Sequence, residues 1–157
     1  MEYKHPPLKT TSELLARYGN PLTSQLKFER TWMMTYVLLP GVHSAIPCLP
    51  LHIYMNKDIV MRFENTLNSL IEARLHTEIK TWDGCFNPRK QRGSSTISRH
   101  AFGVAIDINA AWNKLNGEVN WSEDFLNVWR NAGWICGADF HSRKDGMHFE
   151  NSAASVW

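Results

Sequence analysis

The sequence predicts an α+β fold in which helices flank a small antiparallel sheet. Segments with helix caps and short segments with alternating apolar residues both occur, but they do not alternate regularly along the chain. A doubly wound parallel sheet needs that regular alternation and is therefore disfavoured. With 157 residues, of which 43% are hydrophobic and 20% charged, the chain fits one globular domain (residues 1–157) with one core.

Three segments are predicted to be helices. Thr10 begins a stretch with capping-box spacing, so a helix is expected over residues 11–18. Asn56 is a good N-cap for the clearest helix, and Ser122 can cap a third helix that ends at Gly133. The apolar residues at helical spacing in the clearest helix are Ile59, Val60, Phe63, Leu67, Leu70 and Ile71.

Short segments rich in branched and aromatic residues are the predicted strands. In segment 103–108, Val104 and Ile106 face one side and Asp107 faces the other, because side chains alternate along a strand. A polar loop over residues 84–99 is either a solvated surface or a loop that a rigid scaffold positions for function. The other predicted strands cover residues 35–39, 77–82, 134–136 and 147–150.

The charge and hydropathy of the chain disfavour several classes of protein. A formal net charge of +2 is too small to argue for nucleic-acid binding. No stretch of about 18 apolar residues occurs, so neither a membrane-spanning helix nor a membrane partner is expected. The first residues lack the apolar run of a signal peptide, so we expect a cytoplasmic protein, and we expect it to be a monomer.

The three cysteines, Cys48, Cys85 and Cys136, are odd in number and far apart in the sequence. They form no CxxC pair, which argues against a zinc site built from thiolates. None of them lies in a recognisable nucleophile motif. We therefore expect reduced, partly buried thiols without a catalytic role.

Two short segments carry the residues that point to chemistry. His100 lies just before a predicted strand, and Asp107 lies inside it among apolar residues, where an unpaired carboxylate is costly to bury. His148 has a similar apolar setting. Taken singly, Asp107 could pair with an arginine or with backbone, and His148 could be a hydrogen-bonded core residue. Together, two imidazoles and one carboxylate form the usual protein ligands of a catalytic zinc ion, with a fourth position for water.

A catalytic zinc site also needs a nearby carboxylate that takes a proton from the water and returns it to the leaving amine. Asp145 and Glu150 are both close to His148 in the sequence. Asp145 is favoured, because a turn at Gly146 lets its side chain converge on the site. Glu150 lies two residues after His148, so both side chains face the same side of a strand and Glu150 could also approach the metal.

The residues around these candidates form a two-part motif. Its members are Ser98, His100, Gly103, Ala105 and Asp107 in the first part, and Asp145 and His148 in the second. The motif resembles the signature of the zinc D-alanyl-D-alanine carboxypeptidase family, which includes phage endolysins that cut the L-alanyl-D-glutamate bond. That family is related in fold to lysostaphin-type peptidases and to the hedgehog amino-terminal domain. The resemblance covers about residues 80–150, and the loop 84–93 is similar to the phage-type branch.

The resemblance implies a zinc ion at the sheet, with His100, Asp107 and His148 as its ligands. It implies that Asp145 is the general base and acid.

The resemblance also implies residues that bind the substrate. An arginine before the motif would bind the substrate carbonyl or a carboxylate, and Arg89 and Arg92 both fit that role. Ser98 could hold the loop or touch the substrate. His141 could reach the cleft, because it lies only four residues before the motif acid.

The implied function is a zinc peptidase that cuts peptidoglycan stem peptides, most directly a phage-type L-alanyl-D-glutamate endopeptidase. No linker or second compositional block is visible, so no separate cell-wall-binding domain is expected. Such an enzyme would wait in the cytoplasm and reach the wall through a membrane pore. A D-alanyl-D-alanine carboxypeptidase or dipeptidase of the same family is one alternative. A non-catalytic zinc-binding or virion structural module is another, which the retained acid disfavours.

Overall fold

The computed structural model describes residues 10–151. This part of the chain has the predicted α+β architecture, and none of its helices is long and apolar enough to cross a bilayer. The helices are α1 (Thr11–Tyr18), α2 (Gln25–Trp32), α3 (Pro40–Ala45), α4 (Val60–Glu72) and α5 (Glu123–Asn131). The strands are β1 (Met33–Val37), β2 (His52–Asn56), β3 (Trp82–Gly84), β4 (Ala105–Ile108), β5 (Ile135–Cys136) and β6 (His148–Glu150).

The strands form two antiparallel sheets. Strands β1 and β2 make a two-stranded sheet, and the other four strands are ordered β3-β4-β6-β5. In the larger sheet, the central strands β4 and β6 pair so that Ala105 lies opposite Glu150 and Asp107 lies opposite His148. The middle of this sheet therefore carries residues from both parts of the sequence motif.

A cluster of buried apolar side chains joins the helices to the sheets. Trp129 of α5 is fully buried, and its ring centroid lies 4.4 Å from that of Phe149 on β6 and 5.0 Å from that of Trp134. Phe63 of α4 packs edge-on against Trp134. Because aromatic rings bury large apolar areas in defined orientations, this packing fixes the position of β6 against the helices.

The predicted helix starts are confirmed at the level of individual caps. The Thr10 hydroxyl accepts a hydrogen bond from the Glu13 N–H, and the Glu13 carboxylate accepts one from the Thr10 N–H. The Ser122 hydroxyl accepts from the Phe125 N–H at the start of α5. Asn56 caps a short 3₁₀ turn that leads directly into α4.

The predicted strand over residues 77–82 is wrong, because a 3₁₀ turn and irregular backbone replace most of it and β3 begins later. The side-chain oxygen of Asn109 accepts hydrogen bonds from the N–H groups of Lys80 and Thr81. Its side-chain nitrogen donates to the carbonyl of Glu78. One asparagine thus satisfies backbone groups that a strand would have paired with a neighbour.

The predicted strand over residues 103–108 begins with a turn. Residues Arg99–Phe102 form a 3₁₀ turn that ends at Gly103, whose φ is 67°. A Cβ at this position would lie 2.5 Å from the Met33 sulfur and 3.0 Å from the Asn56 backbone nitrogen. Glycine is needed there for both its backbone angle and its lack of a side chain.

Candidate metal centre and active site

The pairing of β4 with β6 brings two of the predicted ligands together. Residues directly opposite each other in an antiparallel pair project from the same face of the sheet, so Asp107 and His148 meet. His148 Nδ1 lies 3.2 Å from Asp107 Oδ1.

The 3₁₀ turn at Arg99–Phe102 presents the third predicted ligand, His100, to the same carboxylate. The Ser98 hydroxyl caps this turn by accepting a hydrogen bond of 3.3 Å from the His100 N–H. His100 Nδ1 lies 2.7 Å from the carbonyl oxygen of Cys85, so Nδ1 carries the hydrogen and donates it. The lone pair is then on Nε2, which lies 3.2 Å from Asp107 Oδ1.

The inward-facing atoms of His100, Asp107 and His148 have the spacing of ligands around one zinc ion. All three lie within 4.8 Å of one another. Zinc–ligand bonds of about 2.0–2.1 Å at tetrahedral angles place neighbouring ligand atoms about 3.3 Å apart. Both nitrogen-to-oxygen separations here are 3.2 Å, which is longer than the roughly 2.7–2.9 Å of a charge-assisted hydrogen bond. The donor atoms and their spacing therefore fit zinc.

Burial and neighbouring charges shift the pKa values of Asp107 and His148. Burial alone would raise the pKa of Asp107, but the two imidazoles beside its carboxylate hold that pKa below its ordinary value. Burial would lower the pKa of His148, but the neighbouring carboxylates of Asp107 and Glu150 outweigh it and raise that pKa to about 10. Without a metal, His148 therefore holds a proton at neutral pH that a bound cation must displace.

A cavity of about 710 Å³ opens beside the cluster. Its wall contains the three predicted ligands and four arginines, which are Arg89, Arg92, Arg99 and Arg143. The volume lies within the range of about 300–1,000 Å³ that is usual for small-ligand sites. A wall with this many guanidinium groups favours ligands that carry carboxylates.

The loop between β3 and the turn at His100 brings both predicted substrate-binding arginines to the cavity. The Asn87 N–H donates to the carbonyl of His100, and the Ser98 N–H donates to that of Arg89. The guanidinium of Arg89 donates to the carbonyl of Lys90 at 3.1 Å. Arg92 lines the same cavity, so the structure brings both arginines to the site and does not choose between them.

Asp145 and Glu150 differ in whether their carboxylate oxygens have partners. Glu150 is buried, with Oε2 2.9 Å from His148 Nε2 and Oε1 3.6 Å from Arg99 Nε. Asp145 lines the cavity, and its buried Oδ1 has no hydrogen-bond partner among the described residues. Burial is the main cause that raises the pKa of Asp145. Asp145 therefore has the oxygen that is available for proton exchange.

Close packing fixes the backbone of Asp145. Its N–H donates to the carbonyl of Gly137 at 3.0 Å, and a Cβ at Gly137 would overlap the Asp145 carbonyl oxygen. That same oxygen accepts a hydrogen bond of 3.0 Å from the His148 N–H, which closes the turn through Gly146. Asp145 and His148 are therefore three residues apart because they are the first and last residues of this turn.

The two other predicted substrate-binding residues are placed differently. Ser98 is buried in the cavity wall, and its hydroxyl is used to cap the turn at His100. His141 is exposed and does not line the cavity, whereas its neighbours Phe140 and Ser142 do.

The cysteines are free thiols, as predicted. Cys48 is partly buried, and Cys85 and Cys136 are buried. Burial raises the pKa of the Cys136 thiol to about 12, so it is not a thiolate at neutral pH. Cys85 contributes to the site through its backbone carbonyl, which holds the ring of His100.

Two arginines of the cavity wall were missed as candidates from the sequence. Arg143 has a left-handed backbone with φ 55°, and its guanidinium donates to the Arg92 carbonyl at 3.0 Å. Arg99 contacts Glu150. The available signal for Arg99 was that Glu150, on an apolar strand, needs a cationic partner. Nothing in the local sequence pattern marks Arg143.

Residues 92–151 match the family model described as D-alanyl-D-alanine carboxypeptidase. The matched segment contains His100, Asp107, Asp145 and His148, and it includes β4, α5, β5 and β6. No curated protein and no solved structure gives a significant match to the chain. The family match supports a metallopeptidase related to the D-alanyl-D-alanine carboxypeptidases.

Proposed function

We propose that this chain is a zinc-dependent peptidase that cleaves the stem peptides of peptidoglycan. One observation carries the proposal. His100 Nε2 and His148 Nδ1 both lie 3.2 Å from Asp107 Oδ1, beside a cavity, in the segment that matches a peptidase family. The spacing supports a zinc site, and the family match supports peptidase chemistry at that site.

His100, Asp107 and His148 would hold the zinc ion through the three atoms that already face one another. When bound, zinc activates a water molecule and polarises the scissile carbonyl. The protein contributes orientation, because the Cys85 carbonyl holds one imidazole and the β4–β6 register holds the other ligand pair.

Asp145 is proposed as the general base and acid. Its Oδ1 is buried and has no hydrogen-bond partner among residues 10–151, so it can accept a proton from the attacking water. It then returns that proton to the leaving amine. The raised pKa of Asp145 suits both steps, because a carboxyl nearer neutrality both accepts and releases a proton readily.

The arginines of the cavity wall are proposed to bind the substrate. Peptidoglycan stem peptides carry free carboxylates, and arginine binds a carboxylate through two parallel hydrogen bonds. Arg89 and Arg92 approach from the loop, and Arg143 approaches from the segment before Asp145. An arginine close to the scissile carbonyl would also stabilise the oxyanion that forms there.

The bond that we propose first is the one between L-alanine and D-glutamate. The similarity of the loop 84–93 to the phage-type branch supports this choice. The description of the matched family favours the alternative, removal of the terminal D-alanine by a D-alanyl-D-alanine carboxypeptidase.

Mass spectrometry of the products released from purified peptidoglycan tests the function and the bond together. Cleavage after L-alanine leaves fragments with a new amino-terminal D-glutamate, whereas a carboxypeptidase releases single D-alanine residues. The control is the same protein after metal chelation and after zinc is restored. If the zinc-loaded protein releases no fragments, the proposal fails and a non-catalytic zinc-binding module is favoured.

A further inference from the structure

A carboxylate holds His148 from the side opposite the proposed metal. Glu150 follows His148 by two residues on β6, so both side chains project from the same face of the strand. Glu150 Oε2 accepts a hydrogen bond from His148 Nε2–H at 2.9 Å. Both residues are only 8% exposed, so water does not compete strongly for this contact.

This contact decides which nitrogen of His148 faces the cluster. A neutral imidazole has one N–H and one lone pair, and either nitrogen can carry the hydrogen. Because Nε2–H is directed at Glu150, the ring has its lone pair on Nδ1 once it is neutral, and Nδ1 lies 3.2 Å from Asp107 Oδ1.

Arg99 in turn holds Glu150. Its Nε lies 3.6 Å from Glu150 Oε1, and its Nη1 donates to the Thr11 hydroxyl at the start of α1 at 3.0 Å. A buried carboxylate needs such a compensating charge. Arg99 directly precedes His100, so the same 3₁₀ turn presents one proposed ligand and supports the partner of the other.

The two imidazoles therefore have unequal partners. His100 donates its outer N–H to the neutral carbonyl of Cys85, whereas His148 donates to the carboxylate of Glu150. A carboxylate partner orients a ligating imidazole and makes its other nitrogen a stronger donor to a metal.

We propose that Glu150, held in place by Arg99, is a positioning residue that makes His148 bind the metal through Nδ1 and strengthens metal binding at the site. This inference rests on the proposed function, because it assigns a role within the same zinc site.

The dissociation constant for zinc, measured by competition with a chromogenic chelator, tests the inference without relying on catalysis. Glu150→Ala is expected to weaken zinc binding by about 10–100-fold. Glu150→Gln is expected to weaken it less than Glu150→Ala does, because its amide oxygen still accepts from His148 Nε2–H. The matched control is Glu123→Gln, which alters an exposed glutamate that is likewise paired with an arginine.

A second measurement separates positioning from a loss of structure. In nitrogen-15 NMR spectra of the zinc-loaded protein, the Nε2–H proton of His148 is expected to be protected from exchange in the wild type and in Glu150→Gln. In Glu150→Ala it is expected to exchange rapidly. If Glu150→Ala does not fold, Glu150→Gln decides the outcome by its zinc affinity.

The possible failures are distinguishable. If the wild-type protein does not bind zinc, the proposed function itself is overturned. A wild-type protein that binds zinc, with folded Glu150 variants whose zinc affinities stay within about twofold of it, overturns the positioning role and leaves the zinc site standing.

Discussion

Two carboxylates flank His148, and their surroundings give them different chemistry. Glu150 is fully engaged by His148 and Arg99, so its oxygens are committed to holding other side chains. Asp145 keeps one buried oxygen without a partner among the described residues. Of the two acids that the sequence offers, only this one combines access to the cavity with a free oxygen.

Removal of that carboxylate should separate catalysis from metal binding. Asp145→Asn keeps the side-chain size but cannot take a proton, so hydrolysis of peptidoglycan is expected to fall by about 10²–10⁴-fold. Zinc content, measured by atomic absorption, is expected to be unchanged. Asp124→Asn is the matched control, because Asp124 is exposed in the first turn of α5 and does not line the cavity. Full activity in Asp145→Asn would assign the proton transfer to another group.

The pH dependence of zinc binding follows from His148. Its pKa of about 10 in the metal-free protein lies above neutral pH, so the ring must lose a proton when a metal binds. Zinc affinity is therefore expected to rise by about tenfold per pH unit between roughly pH 6 and 9. Titration calorimetry in buffers of different ionisation enthalpy measures the released proton. Proton release close to zero at pH 7 would contradict a raised pKa for His148.

The sequence was sufficient for the proposed ligands and insufficient for the residues around them. His100, Asp107 and His148 could be predicted because their residue types and spacing suggest one coordination chemistry. The β4–β6 register and the 3₁₀ turn at Arg99–Phe102 do bring them together. The pairing of Glu150 with Arg99 depends on the backbone path of the 3₁₀ turn that carries Arg99. The contact of Arg143 with Arg92 depends on the path of the loop that carries Arg92. Local spacing does not encode those paths.

At the level of secondary-structure elements, the site depends on close contacts between short segments. The 3₁₀ turn Gly137–Asp139 lies directly against the backbone of Asp145, with no room for a side chain at its first residue. The position of the proposed catalytic acid is therefore set by an element that contributes no side chain to it.

Gly137→Ala should displace Asp145 directly, and should affect the proposed ligand His148 only through its backbone hydrogen bond to the Asp145 carbonyl. The new methyl group overlaps the Asp145 carbonyl oxygen, so the free energy of unfolding is expected to fall by about 1–3 kcal/mol. Activity is expected to fall more than zinc affinity does. Urea unfolding, peptidoglycan hydrolysis and chelator competition measure the three effects.

Gly41→Ala is the control for this substitution. Gly41 lies in α3, and a Cβ there meets nothing within 4 Å, so stability should be unchanged or slightly higher. Equal activity in the two glycine variants would show that the contact with Gly137 does not position Asp145.

The elements that the sequence predicted are those with local signals. The caps at Thr10 and Ser122 act within three residues, so α1 and α5 could be identified from short stretches. The strand expected over residues 77–82 failed because Asn109, 28 and 29 residues away from Thr81 and Lys80, pairs with that backbone. Strand β2 and helices α2 and α3, in a stretch broken by prolines, were not predicted because they depend on tertiary packing.

Across the whole molecule, the first half of the chain supports the turn that carries His100. The buried side chain of Asn56 donates to the carbonyl of Phe102 at 3.0 Å, and its backbone N–H donates to that of Gly103 at 3.0 Å. Thr11 accepts a hydrogen bond from Arg99 on the same turn. Segments outside the matched residues therefore help to hold the proposed metal centre.

Zinc should consequently stabilise the entire fold. A ligand that binds only the folded state at about 100 times its Kd adds about 2.7 kcal/mol to the free energy of unfolding. The Tm measured by calorimetry is expected to fall on chelation and to recover when zinc is restored. His100→Ala is the control, since its Tm should respond much less to zinc. A wild-type Tm that does not change with zinc would show that the folded protein does not bind the metal.

The loop that carries Arg89 and Arg92 is held at its base by His100, whose carbonyl binds the Asn87 N–H and whose ring binds the Cys85 carbonyl. Its tip, residues 91–96, is closed on itself by a hydrogen bond from the Gln91 N–H to the Thr96 carbonyl. Insertions or exchanges at the tip are therefore expected to alter substrate preference while leaving the proposed metal centre intact. That separation makes the tip a suitable place to change the substrate preference of the proposed peptidase.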